Sequence, residues 1–273
     1  MNVSANDIMR SPWNWGAKPF HIADNLYYVG DKDVSSHLFD TGEGLLLLDT
    51  GYTMGTYLLL ESIRELGFDP KDVKWILHSH GHLDHIGATR IFMERYGSKS
   101  YFPEIDLPLL DEKKELNWHE EFGVPYEPPY DQYFIPDVLI NPGDVLQFGN
   151  TKVEVYAAGG HTPGTVAYRF LLPGGLKAAM HGGVGVNTMS SAYSRKRNLG
   201  NTWRERFLRD IRALYDLPVD IVLGNHPNQT GTFEKRAKMN GETNPFINTA
   251  EWNEFLTKRE QIFQDLVKND PIE

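Results

Sequence analysis

A short apolar run, Val73 to Leu77, opens directly into the segment His78-Ser79-His80-Gly81-His82-Leu83-Asp84-His85-Ile86-Gly87. A β-prone run, a polar loop and then a helix-compatible stretch is the local grammar of a layered α/β protein, in which binding residues collect at the carboxyl ends of strands. Four side chains able to ligate a metal, His80, His82, Asp84 and His85, fall within six residues. Imidazoles at i and i+2 in extended chain leaving a strand can be drawn to one ion by loop curvature. Asp84 and His85, in the first turn of the next helix, can face a second ion nearby. The chain has no cysteine, so disulfides, iron–sulfur clusters, thiol nucleophiles and thiolate-held zinc are excluded, and any metal must be held by nitrogen and oxygen. Zinc suits such a donor set; manganese and iron accept the same donors and stay open.

Two further histidines share that context. His161, in AAGGHTPGT, follows a β-prone run and is preceded by glycines that let backbone approach closely. His226, in VLGNHPN, ends another apolar run. His78 lies in the strand and is read as packing against or bracing the ligand loop. His37 and His181 sit at strand ends, where they could line the cleft, and His21 and His119 carry no functional expectation.

Strand-like segments run from Leu26 to Val29, His37 to Phe39 and Leu45 to Asp49, the pattern of a meander. The third is nearly all apolar, as befits a strand covered on both faces that delivers Asp49 to a turn at its end. Apolar spacing predicts a helix from Thr53 to Leu66, closed by Gly67, and a second from about Leu83 to Tyr96, closed by Gly97. Residues 103–136 differ in texture, with an acidic, Leu-bearing stretch before a Pro/Tyr-rich one, and are expected to form a helix and an ordered aromatic loop flanking the site. Strand character returns in DVLI, DVLQF, TKVEVYAA, TVAYRF and LKAAM, then in DIVLG after a helix from Thr202 to Leu214. Helices are expected around Phe233 to Met239 and from about Ala250 to Val267. Two strand-rich halves, each followed by helices, suit two sheets face to face with helices outside, and residues 1–273 are read as one domain with the site along an edge of that sandwich.

The 273 residues are 40% hydrophobic and 12% aromatic, an ordinary globular mixture. With 27 Lys plus Arg against 37 Asp plus Glu, the formal charge is -10, and neither a long basic run nor an Arg-rich stripe offers a phosphate backbone a footprint. A small-molecule substrate is therefore expected in preference to nucleic acid, and oligomeric state is left open. No basic-then-apolar leader and no stretch of 18 apolar residues is visible, which reads as cytoplasmic and not membrane-bound.

HGHLDH resembles the HxHxDH signature of the metallo-β-lactamase superfamily, and LLLLDTG, GGHTPGT and LGNH resemble its other recurring segments in their usual order. The run of YYVG, VNTM, LPVDIVLGNHP and NPFIN is most similar to the third subclass of metallo-β-lactamases, from about Phe20 to Phe255. This resemblance implies an αββα sandwich of two mixed β-sheets flanked by helices and two zinc ions per chain. It implies one zinc on His80, His82 and His161 and a second on Asp84, His85 and His226. The superfamily's commoner bridging aspartate would fall in MHGGVG, which has no acid, so the third protein ligand of the second ion passes to His226, as in the third subclass. Asp49 is similar to the buried aspartate that steadies the histidine loop.

The same resemblance implies a metal-dependent hydrolase in which Asp84 both ligates and orients the attacking oxygen, with no serine or cysteine nucleophile. Ring opening of a β-lactam is the leading named activity, a lactone, ester or amide of another metabolite the alternative, and a non-catalytic metal-bearing binding module the remaining class. Relatives of the third subclass carry hydroxyl side chains in the segment that here reads Gly183-Val184-Gly185, where they help hold a substrate carboxylate. With glycine at both positions, that contact is expected to pass to backbone N–H groups, to Asn187, to Tyr193 or to the basic cluster Arg195-Lys196-Arg197.

Overall fold

The computed structural model describes residues 10–110 and 132–272. Among them, seven strands form a first sheet in sequential order: β1 (Phe20–Ala23), β2 (Leu26–Tyr28), β3 (His37–Asp40), β4 (Leu45–Leu48), β5 (Val73–Leu77), β6 (Lys99–Pro103) and β7 (Val138–Ile140). The first four pair antiparallel and the rest in parallel, so the sheet is mixed. The second sheet has the order β12-β11-β10-β9-β8, from β8 (Val145–Phe148), β9 (Thr151–Ala157), β10 (Val166–Leu171), β11 (Lys177–His181) and β12 (Ile221–Gly224). Only β11 and β12 pair in parallel.

Three apolar layers hold these sheets in place. Between them lies a core of Phe39, Leu46, Leu48, Phe148, Phe170, Met180 and Leu223, among others. The outer face of the first sheet packs Leu45, Leu47 and Ile76 against Leu59 and Ile63 of helix α1 (Thr56–Glu65), whose buried positions recur at helical spacing. Helices α2 (Leu83–Ile86) and α3 (Thr89–Ile91) follow β5, and α4 (Ser191–Arg197) follows β11. The outer face of the second sheet packs Ala179 and Val222 against Phe207 and Ile211 of α5 (Thr202–Ala213) and Trp252, Leu256 and Phe263 of α7 (Glu251–Asn269), with α6 (Thr232–Lys238) between them in the chain. Helices therefore flank two mixed sheets, the architecture expected from the sequence.

Several local expectations fail for physical reasons. The helix from Leu83 to Tyr96 is broken, because the N–H groups of Gly87 and Ala88 donate to Gly51 O and Thr50 Oγ1 and the carbonyl of His85 accepts from Thr50 N. Those groups are lost to the helical ladder, and the segment continues as α3 and then as a wider π turn over Phe92–Tyr96 that ends at left-handed Gly97. Of the flanking helix and loop expected at 103–136, residues 111–131 lie outside the described ones, and Glu104–Leu110 form a 3₁₀ segment. Strands β1 and β6 and helix α4 went unread. No helix among the described residues is long and apolar enough to cross a membrane.

Candidate metal centre

Strands β4, β5, β9, β11 and β12 all end at one edge of the sandwich, the first two parallel within one sheet and the others pointing the same way within the second. The predicted ligands leave from those ends. His80, His82 and His161 offer ligating atoms that all lie within 4.8 Å of one another, and so do Asp84, His85 and His226. All six are buried except His226, whose side chain keeps about 25% of its exposure. Within the first group, His80 Nε2 and His82 Nδ1 are 3.1 Å apart, and in the second Asp84 Oδ2 is 3.3 Å from His85 Nε2 and 3.4 Å from His226 Nε2.

The surrounding hydrogen bonds settle which nitrogen of three of these rings faces inward. His161 Nδ1 donates to Gly185 O at 2.9 Å, His226 Nδ1 to Asp33 O at 2.7 Å and His85 Nδ1 to Asp49 Oδ2 at 2.9 Å. In His161 and His226 this leaves Nε2 as the lone-pair nitrogen, and in His85 it leaves Nε2 as the nitrogen that faces Asp84. Asp49, fully buried just past the end of β4, also accepts from Ser79 N at 2.8 Å and Ser79 Oγ at 2.7 Å. It holds a positive φ of 55°, rare for a non-glycine residue, which turns its carboxylate back under the ligand loop. His78 is bound on both sides, to Tyr101 O and Thr89 Oγ1, and Thr89 in turn meets Thr50. It braces the base of the loop away from both triads.

Electrostatics separate the two groups. Burial, reinforced by neighbouring imidazoles, pushes His80 and His82 well below the usual histidine value, and burial takes His161 down to about 4. Burial would also lower His85, but the carboxylates of Asp84 and Asp49 override it and raise His85 to about 10. Against its own burial, Asp84 is held below the ordinary carboxylate range by His85 and His226. Its Oδ1 is buried and has no hydrogen-bond partner among the described residues.

Other candidates fall into place differently. A Cβ built on Gly183 would lie 2.6 Å from His161 Cδ2, and one on Gly185 3.0 Å from His161 Cε1. Both glycines are there to let the chain lie flat against the imidazole. Asn187 is exposed beside Gly185. Tyr193 is buried with Leu109, Leu199 and Trp203, with Arg197 5.6 Å over its ring. His37 and His181 are buried in their strands, His37 beside Tyr28 and His181 beside Phe207, with pKa values lowered by burial to about 4 and about 3. Sequence reading missed Asp106, a fully buried carboxylate that accepts from Gly81 N, Thr162 Oγ1 and Gly164 N. Burial raises its pKa to about 6 against those hydrogen bonds. It looked like one acid in an acidic stretch, and only the glycines on either side of the ligand histidines hinted that something approaches closely there.

Comparison with known proteins points to one family. The family profile described as "Metallo-beta-lactamase superfamily" matches residues 29–176. The crystal structure of BJP-1, a subclass B3 metallo-beta-lactamase of Bradyrhizobium japonicum, superimposes with a TM-score of 0.81 at 26% identity, covering 96% of this chain and 97% of that one. In sequence, hydroxyacylglutathione hydrolase GloC of Haemophilus influenzae is 30% identical over 112 residues, 40% of this chain and 49% of the relative. Ribonuclease TTHA0252 of Thermus thermophilus is 29% identical over 140 residues, 48% of this chain and 30% of the relative. The chain thus spans half or less of the length of these two curated relatives.

Proposed function

Because the chain belongs to the metallo-beta-lactamase superfamily and is a hydrolase of that kind, we propose that it is a dinuclear zinc enzyme that opens cyclic amides, with β-lactams as the leading substrate class. The observation that carries this reading is the pair of complete triads at one sheet edge. The donor set fits two divalent cations: it is all nitrogen and oxygen, each triad is compact, and Asp84 Oδ1 is a buried acceptor without a partner among the described residues. Bound there, a zinc pair supplies Lewis acidity and lowers the proton affinity of water toward neutrality.

The protein's own groups do the rest. His80, His82 and His161 hold the first ion, and Asp84, His85 and His226 the second. Asp49, Gly185 O and Asp33 O fix the rings of His85, His161 and His226, so little reorganisation accompanies reaction. Asp84 Oδ1 orients the attacking water and accepts its hydrogen bond. The substrate enters on the His226 side, the exposed flank of the centre, and Asn187, exposed beside Gly185 on the His161 side, is available to its polar groups.

Metal analysis of chelator-free protein should give close to two zinc ions per chain, and a firm value of one at saturating zinc would sink the dinuclear assignment. A panel of penicillins, cephalosporins, carbapenems, homoserine lactones and aryl esters decides the substrate. A second reading, a lactonase or esterase, is favoured by the glycines pressed against His161, which leave no side-chain hydroxyl at positions 183 and 185 for a substrate carboxylate. Lactones or esters turned over a hundredfold faster than every β-lactam would establish it in place of the first.

A further inference from the structure

We infer that Asp106 is a positioning residue for the first metal site, clamping together the two loops that carry His80, His82 and His161; the inference rests on the assignment of an ion to that triad. The two loops come from different sheets, one leaving β5 and the other β9, and no peptide bond or shared strand fixes their separation. At their bases Val166 N donates to Ser79 O, and beside the ligands themselves the carboxylate of Asp106 spans them. Asp106 Oδ2 accepts from Gly81 N at 2.9 Å, between His80 and His82, and from Thr162 Oγ1 at 2.6 Å, next to His161. Oδ1 accepts from Gly164 N on the same loop as His161.

Steric evidence points to the same clamp independently. A Cβ on Gly81 would lie 2.9 Å from Leu109 Cδ1, and one on Gly164 would lie 2.6 Å from Asp106 N. Each ligand loop therefore carries a glycine where the 3₁₀ segment Glu104–Leu110 seats between them. With Asp106 fully buried, its donors have no water to replace a lost partner. Asp106 touches no metal ligand side chain and acts through the backbone on either side of them, the role of groups that orient ligands and tune affinity without binding the metal.

Asp106→Asn isolates the clamp. The amide keeps one oxygen and turns the other into an NH₂ donor, so whichever way it is flipped, the N–H of Gly81 or of Gly164 loses its acceptor. The test uses a His226→Ala background, in which only the first triad is complete, and titrates metal-free protein with zinc against a chromophoric chelator and with cobalt(II) read by its visible absorption. Asp106→Asn should lower zinc affinity about tenfold to a hundredfold, the usual cost of removing a group that orients metal ligands, and alter the cobalt spectrum. Thr162→Val, which removes one of the three donors without touching Asp106, should do the same to a smaller degree, and it carries the test if Asp106→Asn does not fold. In the otherwise unaltered enzyme, activity lost at limiting zinc should return at saturating zinc, a rescue that a purely structural role would not give. Unchanged affinity and spectrum in a folded Asp106→Asn protein would overturn the inference. If the His226→Ala parent itself takes up no ion, the assignment of the first site fails instead, and the clamp with it.

Discussion

The two triads use the same kinds of donor atom but are built to different specifications. His80, His82 and His161 are buried, uncharged and drawn from loops of both sheets. Asp84, His85 and His226 contain a carboxylate, a histidine that holds its proton and a ring open to solvent. A neutral, enclosed site that needs no proton removed is suited to keep its ion. The charged, half-open one is suited to meet substrate and to exchange. Damage to the second triad should therefore reach catalysis first, and damage behind the first should reach metal content or nothing.

The largest expected effect sets Asp84 against His78. Asp84→Asn removes a charge that holds the second ion and the oxygen that orients water, so kcat should fall roughly a thousandfold, within the range for loss of a positioned proton acceptor. His78→Asn keeps a polar side chain between Tyr101 and Thr89 and touches neither triad, so at equal zinc content it should lose less than about tenfold. Stopped turnover assays with metal content measured on the same samples compare the two directly. Similar losses would erase the distinction between binding and bracing.

An intermediate effect comes from protons. In the metal-free protein His85 carries a proton up to about pH 10, so an ion entering the second triad must displace it, and affinity there should fall about tenfold per pH unit as pH drops below that value. First-triad rings already lack that proton at neutral pH, His161 retaining its lone pair down to about pH 4, so affinity there should be nearly flat from about pH 8 to about pH 6. Calorimetry in buffers of different ionisation enthalpy should find about one proton released by the second ion and almost none by the first. Equal proton release from both would show that the triads do not differ in charge.

The same contrast marks how far the sequence could be read. The second triad's helix-borne pair and the first triad's i, i+2 pair sit in one short segment, and His161 and His226 end apolar runs, so local pattern alone put all six forward as candidates. The layered fold came from strand and helix order. What stayed hidden depended on approach between distant segments. Asp106 is indistinguishable from a solvated acid until β6 brings it under two glycines, and β6 itself reads poorly because Lys99 and Pro103 bracket only three residues. The break after Ile86 is invisible because its cause, Thr50 and Gly51, lies about 35 residues upstream. Positions 183 and 185 lacked hydroxyls in the sequence, but that they press on His161 is a tertiary fact.

The smallest expected effect concerns Asn187, exposed beside Gly185 on the His161 side of the centre. Gly183 and Gly185 cannot accept side chains without moving His161, since their Cβ atoms would fall within 3.0 Å of its ring, so substitutions there would disturb metal and substrate together. Asn187 stands one step further out, exposed, with Oδ1 close to where a Gly185 side chain would be. A hydrogen bond from its amide to a substrate carboxylate or carbonyl would be made equally in the ground and transition states, and binding of that uniform kind appears in KM and leaves kcat alone. Loss of one such bond, about 1 kcal/mol, is worth roughly a fivefold rise in KM. Asn187→Ala should therefore raise KM about fivefold for the preferred substrate at unchanged kcat and zinc content. A fall in kcat would instead place Asn187 against the developing charge, and no change at all would move substrate recognition away from the His161 side, toward the Asp33 and His226 rim.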